Sequence, residues 1–252
     1  MSKPASSIQV IDRLAQLLDT IAASEEAVSL KILSAETGLH PSTTFRILAS
    51  LAEHGYVERT SRGNYQLGVK LLQLGNRVNS SIDIRKIALP LMEKLRDQLG
   101  ETVNLTVREE DEVVYIERTL AKRMIRVEQV IGSRAPLHVT AVGKLMLGEL
   151  GAAACRGYAK RSKLPAYTAN THTKAASLVA ECLNAVTLGY AFDNEEAELG
   201  VGCIGTLVRD ATGQVVAGIS VSAPIERRRS EWTEQVVQTA LELSRQLGYH
   251  LP

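Results

Sequence analysis

The 252-residue sequence predicts an α+β chain: an N-terminal module of three helices and a hairpin, a helical linker, and a larger C-terminal α+β domain. Three observations carry that expectation. Apolar spacing is helical through residues 8–51 and breaks at a Gly/Asn turn within 56–67. Two more helical stretches then cover 68–77 and 84–99. Beyond residue 101, pairs of strand-like runs joined by short turns flank a group of helices, with no regular βαβ alternation. The boundaries this implies are 1–67, 68–80 and 81–252.

In the first module, Val10, Ile11, Leu14, Leu17, Leu18 and Ile21 recur at helical spacing over 8–23. Ser29 can cap a short second helix over 30–37, and Gly38 supplies the permissive backbone of a tight helix-to-helix turn. Pro41 falls in the first turn of the third helix, whose stripe is Thr44, Ile47, Leu48 and Leu51. His54-Gly55 ends it, and runs 56–59 and 65–67 enclose the turn Thr60-Ser61-Arg62-Gly63-Asn64. Three helices followed at once by a small hairpin read as a winged helix-turn-helix.

Asp83 can cap the helix over 84–99. The second domain then offers strands at 103–107, 112–118 and 126–130, a loop over 132–140, and helices at 141–150, 152–158 and 175–187. Strands at 190–192, 204–209 and 215–221 and a last helix over 231–247 complete it.

Composition narrows the function. Hydrophobic residues at 45% and charged residues at 23% describe a folded soluble chain. No stretch approaches the roughly 18 apolar residues of a membrane span, and residues 1–7 lack the pattern of a leader, so a cytoplasmic protein without membrane contact is expected. Cys155, Cys182 and Cys203 have no CxxC spacing, and His40, His54, His138, His172 and His250 form no ligand pattern or triad, so neither a metal nor an enzyme is expected. No cofactor is expected either. Gly200-Val201-Gly202-Cys203-Ile204-Gly205 matches G-x-G-x-x-G, but a strand-like run follows it where a dinucleotide site needs a helix.

The net charge of +1 does not itself announce nucleic acid: residues 1–80 carry eight Lys+Arg against seven Asp+Glu. The case for double-stranded DNA is local. Ser42 and Thr43 open the second helix of the helix-turn-helix, Phe45 and Arg46 lie on its outward side, and Arg59 and Arg62 mark the wing. Each alone also fits an ordinary solvated surface. In the second domain, Ser220 and Ser222 share one strand face, Cys203 is a packed thiol or a mild donor, and free N–H groups near residue 141 can receive an anion. On these residues alone, a solvated Ser pair remains open.

The motifs together resemble the IclR-type family of bacterial transcription regulators over essentially the whole length. They are Ile11-Asp12-Arg13-Leu14, Ser42-Thr43-Thr44-Phe45-Arg46, Tyr65-Gln66-Leu67-Gly68, the run from Gly132-Ser133-Arg134-Ala135-Pro136 to Gly143-Lys144, Gly189-Tyr190-Ala191-Phe192-Asp193-Asn194-Glu195-Glu196, and Ile219-Ser220-Val221-Ser222-Ala223-Pro224. Pro41 and Thr44 depart from the family pattern, where a polar residue and Val are common, and Pro41 removes a phosphate contact. The resemblance implies an operator-binding regulator controlled by a small metabolite, often an organic or aromatic acid, and assembled as a dimer or tetramer. It places the effector among Gly132, Ala135, Leu137, His138, Ala141, Met146, Asp193, Cys203, Ser220 and Ser222, with Leu137 and Met146 as apolar wall and Asp193 as an orienting acceptor. The alternative is a small-molecule sensor acting through protein partners.

Overall fold

A computed structural model describes residues 8–81 and 83–250. Residues 1–7, where no leader is expected, lie outside the described residues. The chain divides into two units, 1–82 and 83–252.

The first unit contains α1 (Gln9–Ala22), α2 (Leu30–Thr37), α3 (Pro41–Glu53), β1 (Val57–Arg59), β2 (Tyr65–Leu67) and α4 (Val69–Ser81). Its core is Leu17, Ile21, Val28, Leu33, Leu48, Leu51, Val57 and Tyr65. Of the apolar stripe expected on α1, only Leu17 and Ile21 are buried; Val10 and Ile11 stay 54% and 55% exposed. The α2–α3 turn depends on Gly38, which adopts φ 65°, a left-handed conformation that costs a residue with a Cβ. Antiparallel β1 and β2 pair Val57 with Leu67 and Arg59 with Tyr65, and Val28 bridges Tyr65 to extend the hairpin. This is a winged helix.

The Ser29 side chain accepts from Ile32 N at 3.3 Å, satisfying one of the unpaired N–H groups that begin α2. Replacing Ser29 with Ala is expected to destabilise this unit by about 1 kcal/mol, read as a lower urea midpoint at unchanged slope.

The second unit begins with α5 (Ile84–Leu99), capped by Asp83 accepting from Arg85 N at 3.1 Å. There follow β3 (Thr102–Glu109), β4 (Glu112–Thr119), β5 (Arg134–Pro136), a 3-10 turn (Leu137–Val139), α6 (Ala141–Glu149), α7 (Gly151–Ser162), α8 (Ala175–Leu188), β6 (Ala191–Asn194), β7 (Val201–Arg209), β8 (Val215–Pro224) and α9 (Trp232–Gln246). One antiparallel sheet runs β5-β4-β3-β8-β7-β6. The α6–α8 group packs on the face that carries Cys203 and Leu207, while α5 and α9 pack together against the other. Among the described residues, no helix is long and apolar enough to cross a membrane.

Two sequence expectations are corrected. Residues 126–130 form no strand, because β5 holds the β4 edge through Val113↔Ala135 and Val114↔Arg134. The loop over 132–140 accordingly contains that edge strand and the 3-10 turn. The glycine motif is resolved as structure: Gly200 turns the chain at φ 82°, and Gly205 lies within β7 facing α6, where a Cβ would come within 2.8 Å of Val142 Cγ2. A strand follows the motif, as a dinucleotide site does not allow.

Candidate functional site

The sheet face beneath α6 supplies the floor of a cavity of about 480 Å³. Side chains alternate along strands, so every second residue turns to this face. Adjacent strands thus present Val113 and Tyr115 of β4, Thr106 of β3, Ser220 of β8, Cys203 of β7 and Asp193 of β6 as a continuous row. The roof is the start of α6, with Thr140, Ala141 and Val142, and the mouth is lined by Arg126, Val127, Glu128 and Gln129.

The helix start is fixed locally. Thr140 Oγ1 accepts from Gly143 N at 3.1 Å and Thr140 O from Lys144 N at 3.0 Å, which leaves the Ala141 and Val142 N–H groups at the cavity roof without a helical acceptor. Gly218 and Gly205 let α6 sit close to the sheet, since a Cβ on Gly218 would lie 2.1 Å from Val142 Cγ1. Together, the N–H groups and the hydroxyl row form a concave set of donors suited to a carboxylate.

Burial sets the protonation of the floor. It raises the Cys203 thiol and the Tyr115 phenol well above their ordinary values, so both remain neutral. Cys203 lies 3.2 Å from Ser222 Oγ, which also accepts from Asn104 Nδ2 at 3.1 Å. A thiol held protonated in this way is no nucleophile. Asp193 is 2% exposed. Burial is the main cause that raises its carboxyl to about 6, partly opposed by the Glu196 N–H that donates to Oδ1 at 2.8 Å. Gln129 adds a polar group at the mouth, its Oε1 buried without a partner.

Of the residues the sequence nominates, Ala135, Ala141, Asp193, Cys203 and Ser220 line this cavity. Ser222 pairs with Cys203 across β7 and β8 on the same face but outside the lining, and Gly132, in the turn before β5, is outside it too. Leu137, His138 and Met146 are placed elsewhere, contrary to expectation. The 3-10 turn drives Leu137 into the core with Val142 and Tyr158. His138 hydrogen-bonds Tyr158 OH at 2.8 Å and Pro165 O at 3.1 Å, and burial lowers its pKa. Met146 follows Ala141 by five residues, about 140° around a helix, and so packs in the core. Sequence reasoning missed Thr106, Tyr115, Thr140 and Gln129. Alternation from Val113 along β4 would have found Tyr115.

On the winged helix, Ser42, Phe45 and Arg46 are exposed on α3 and Thr43 is half-buried, while Thr44, Leu48 and Leu51 face the core. His40, given no capping role by the sequence, caps this end: its Nδ1 accepts from Ser42 N at 3.4 Å and lies 2.8 Å from Ser42 Oγ. Arg62 is exposed in the wing turn. Arg59 folds back, its guanidinium 5.8 Å from the Tyr65 ring centroid and its Nε donating to Gly63 O at 3.5 Å.

A winged helix joined to a domain with a roofed polar cavity defines the class of transcription regulators that read DNA with one domain and carry an effector site in the other. The chain belongs to the IclR family: residues 76–249 match the bacterial transcriptional regulator IclR C-terminal model and residues 10–61 the IclR helix-turn-helix domain. It is 34% identical to the HTH-type transcriptional regulator XynR of Escherichia coli over 249 residues, covering 96% of this chain and 98% of that protein. It is 33% identical to the regulator KipR of Bacillus subtilis, covering 88% and 91% respectively. Among solved structures, the Agrobacterium tumefaciens repressor BlcR superposes with a TM-score of 0.79 at 29% identity, covering 98% of this chain and 100% of that one. The chain is therefore a DNA-binding transcription regulator rather than an enzyme.

Proposed function

We propose that this regulator binds a roughly palindromic operator as a dimer and that a small organic acid in the cavity beneath α6 controls that binding. The carrying observation is the cavity itself. Its roof offers the free N–H groups of Ala141 and Val142, and its floor the hydroxyls of Ser220 and Tyr115 with the neutral Cys203 thiol, while Thr106 Oγ1 donates to Gly218 O at 3.4 Å. These donors suit a carboxylate. The unpartnered Gln129 Oε1 at the mouth favours an acid that also carries a hydroxyl. On the winged helix, Ser42, Thr43, Phe45 and Arg46 would enter the major groove, Arg62 would meet the backbone beside it, and Arg59 would stiffen the wing. Exposed Val10 and Ile11 on α1 give a second copy an apolar surface to cover.

The test begins with a thermal-shift screen of small acids, followed by shift assays on operator fragments selected from a random DNA pool. Arg46→Ala is expected to weaken operator binding by about 1–3 kcal/mol, roughly 5- to 150-fold. Ser220→Ala should weaken the acid without changing DNA binding in its absence. Selection that yields no preferred DNA, even at low salt, would favour a sensor acting through protein partners.

A further inference from the structure

We propose that the cavity takes up a carboxylate ligand together with one proton, which is held between the ligand and Asp193, so that binding strengthens as the pH falls. The inference rests on the reading of this cavity as a carboxylate site and adds how the site manages charge. Asp193 lines the same enclosed space as the Ala141 and Val142 N–H groups that would hold the ligand. Two ionised carboxylates in one buried space repel strongly unless a cation stands with them or a proton joins them.

Of the cations near Asp193, Lys144 is paired with carboxylates, whereas Arg228 is held by a main-chain oxygen and a ring. Lys144, reaching from α6, places Nζ 2.5 Å from Glu196 Oε1 and 3.5 Å from Glu181 Oε1. Arg228, from the segment after β8, donates to the main-chain oxygen of Asp193 at 2.9 Å and lies 4.8 Å from the Phe192 ring centroid. At the mouth, Arg126 pairs with Glu128 at 3.1 Å, and Glu198 adds a further negative charge to the lining. The other groups that face Asp193 are Glu196 on its own turn, Tyr115 from β4 and Cys203 from β7, the last two neutral because burial raises them. Arg228 supplies one positive charge that already acts on Asp193, so a second ionised carboxylate would have to share it and leave the site with an excess negative charge. Asp193 already holds its proton up to about pH 6, so little further perturbation keeps it protonated near neutrality.

The sign follows from which state binds the proton more tightly. Below about pH 6 the free protein already carries it, and affinity is flat with pH. Above that point the free carboxyl is ionised, the complex recovers the proton, and affinity falls about tenfold per unit until the bound-state value is reached. The proton comes from the acid form of the buffer, which is left as its conjugate base, and no covalent bond to carbon changes.

The probe is whichever of acetate, lactate, succinate, benzoate and 4-hydroxybenzoate gives the largest thermal shift with the full-length protein. Calorimetry at pH 7.5 in two buffers of different ionisation enthalpy is expected to give uptake approaching one proton per ligand. The dissociation constant should rise about tenfold between pH 6.5 and 7.5. Asp193→Asn keeps an acceptor for Glu196 N, abolishes the uptake and flattens the pH dependence. The native-protein measurement stands whether or not that variant folds. Binding equal at both pH values with no uptake overturns the inference while leaving the carboxylate reading in place. Binding of acetamide or benzamide, with no carboxylate bound, overturns both.

Discussion

Replacing Lys144 with Met is expected to destabilise the C-terminal unit by about 3–5 kcal/mol, the loss that follows when one partner of a buried ion pair is removed. Lys144 is 0% exposed and Glu196 3%, with Nζ and Oε1 2.5 Å apart. Methionine can occupy the length of the side chain, but it leaves Glu196 buried opposite an apolar group. The second Glu196 oxygen, Oε2, is already buried without a hydrogen bond, and His172 Nε2 lies no nearer than 3.9 Å. Glu196 would then keep the Asn194 N–H, which donates to Oε1 at 3.3 Å, against its buried charge. For a unit of this size the loss corresponds to a fall in Tm of roughly 10 °C. Glu196→Gln in the same chain should restore much of it, because the uncompensated charge is then gone. A double-mutant cycle in urea measures that coupling. A single variant within 1 kcal/mol of the parent would mean that the pair contributes nothing to the fold.

The same pair bears on the cavity. Glu196 N donates to Asp193 Oδ1, and Lys144 follows Ala141 by less than one turn of α6. The ion pair thus ties the roof helix to the turn that carries the acidic end of the floor. Loss of the tether should loosen ligand binding as well as the fold.

How much of this was legible in the sequence varied with the range of the interactions. Short-range signals read well: Gly38 marks the turn, Ser29 and Asp83 cap their helices, and α2 and α5 have the expected bounds. These depend on a residue and its neighbours within one turn of chain. Residues 126–130 misled because their alternation is that of a strand, whereas pairing is decided by which segment reaches the β4 edge, and β5 does so. Leu137, His138 and Met146 are placed at the effector site by the family resemblance, Leu137 and Met146 as apolar wall. A 3-10 turn and the rotation of α6 separate them from the cavity in space. Lys144 had no assigned role, because a lone lysine on a helix reads as solvated until the acid facing it from 52 residues away is known. Ser220 stands out by the strand face it shares with Ser222 and Cys203 as a packed thiol or mild donor, and the resemblance adds their place at an effector site. Tyr115 was recoverable by alternation along β4, and Thr106 only once the register of β3 and β4 was fixed, including its irregularity between Leu105 and Thr106.

Gly143→Ala is the substitution expected to damage the cavity most for the smallest chemical change. A Cβ there would lie 2.4 Å from Leu137 O and 2.4 Å from Thr140 Oγ1. The first is main chain and cannot rotate away, so either α6 shifts or the 3-10 turn before it does. The second is the cap of α6, whose bond to Gly143 N would be strained at the same time. Overpacking costs about 1–3 kcal/mol and a lost cap about 1, so a total of about 2–4 kcal/mol is expected. Gly157→Ala is the control. It too replaces a helical glycine, but its Cβ would meet only the flexible end of Arg161, at 3.3 Å, and the change should be neutral or stabilising by up to about 1 kcal/mol. The two variants have the same chemistry and opposite expected signs, which separates close approach from helix propensity. Because α6 carries the Ala141 and Val142 N–H groups, Gly143→Ala should also weaken a bound acid at least tenfold under conditions where the variant remains folded. Full affinity in a folded Gly143→Ala protein would show that those N–H groups do not hold the ligand.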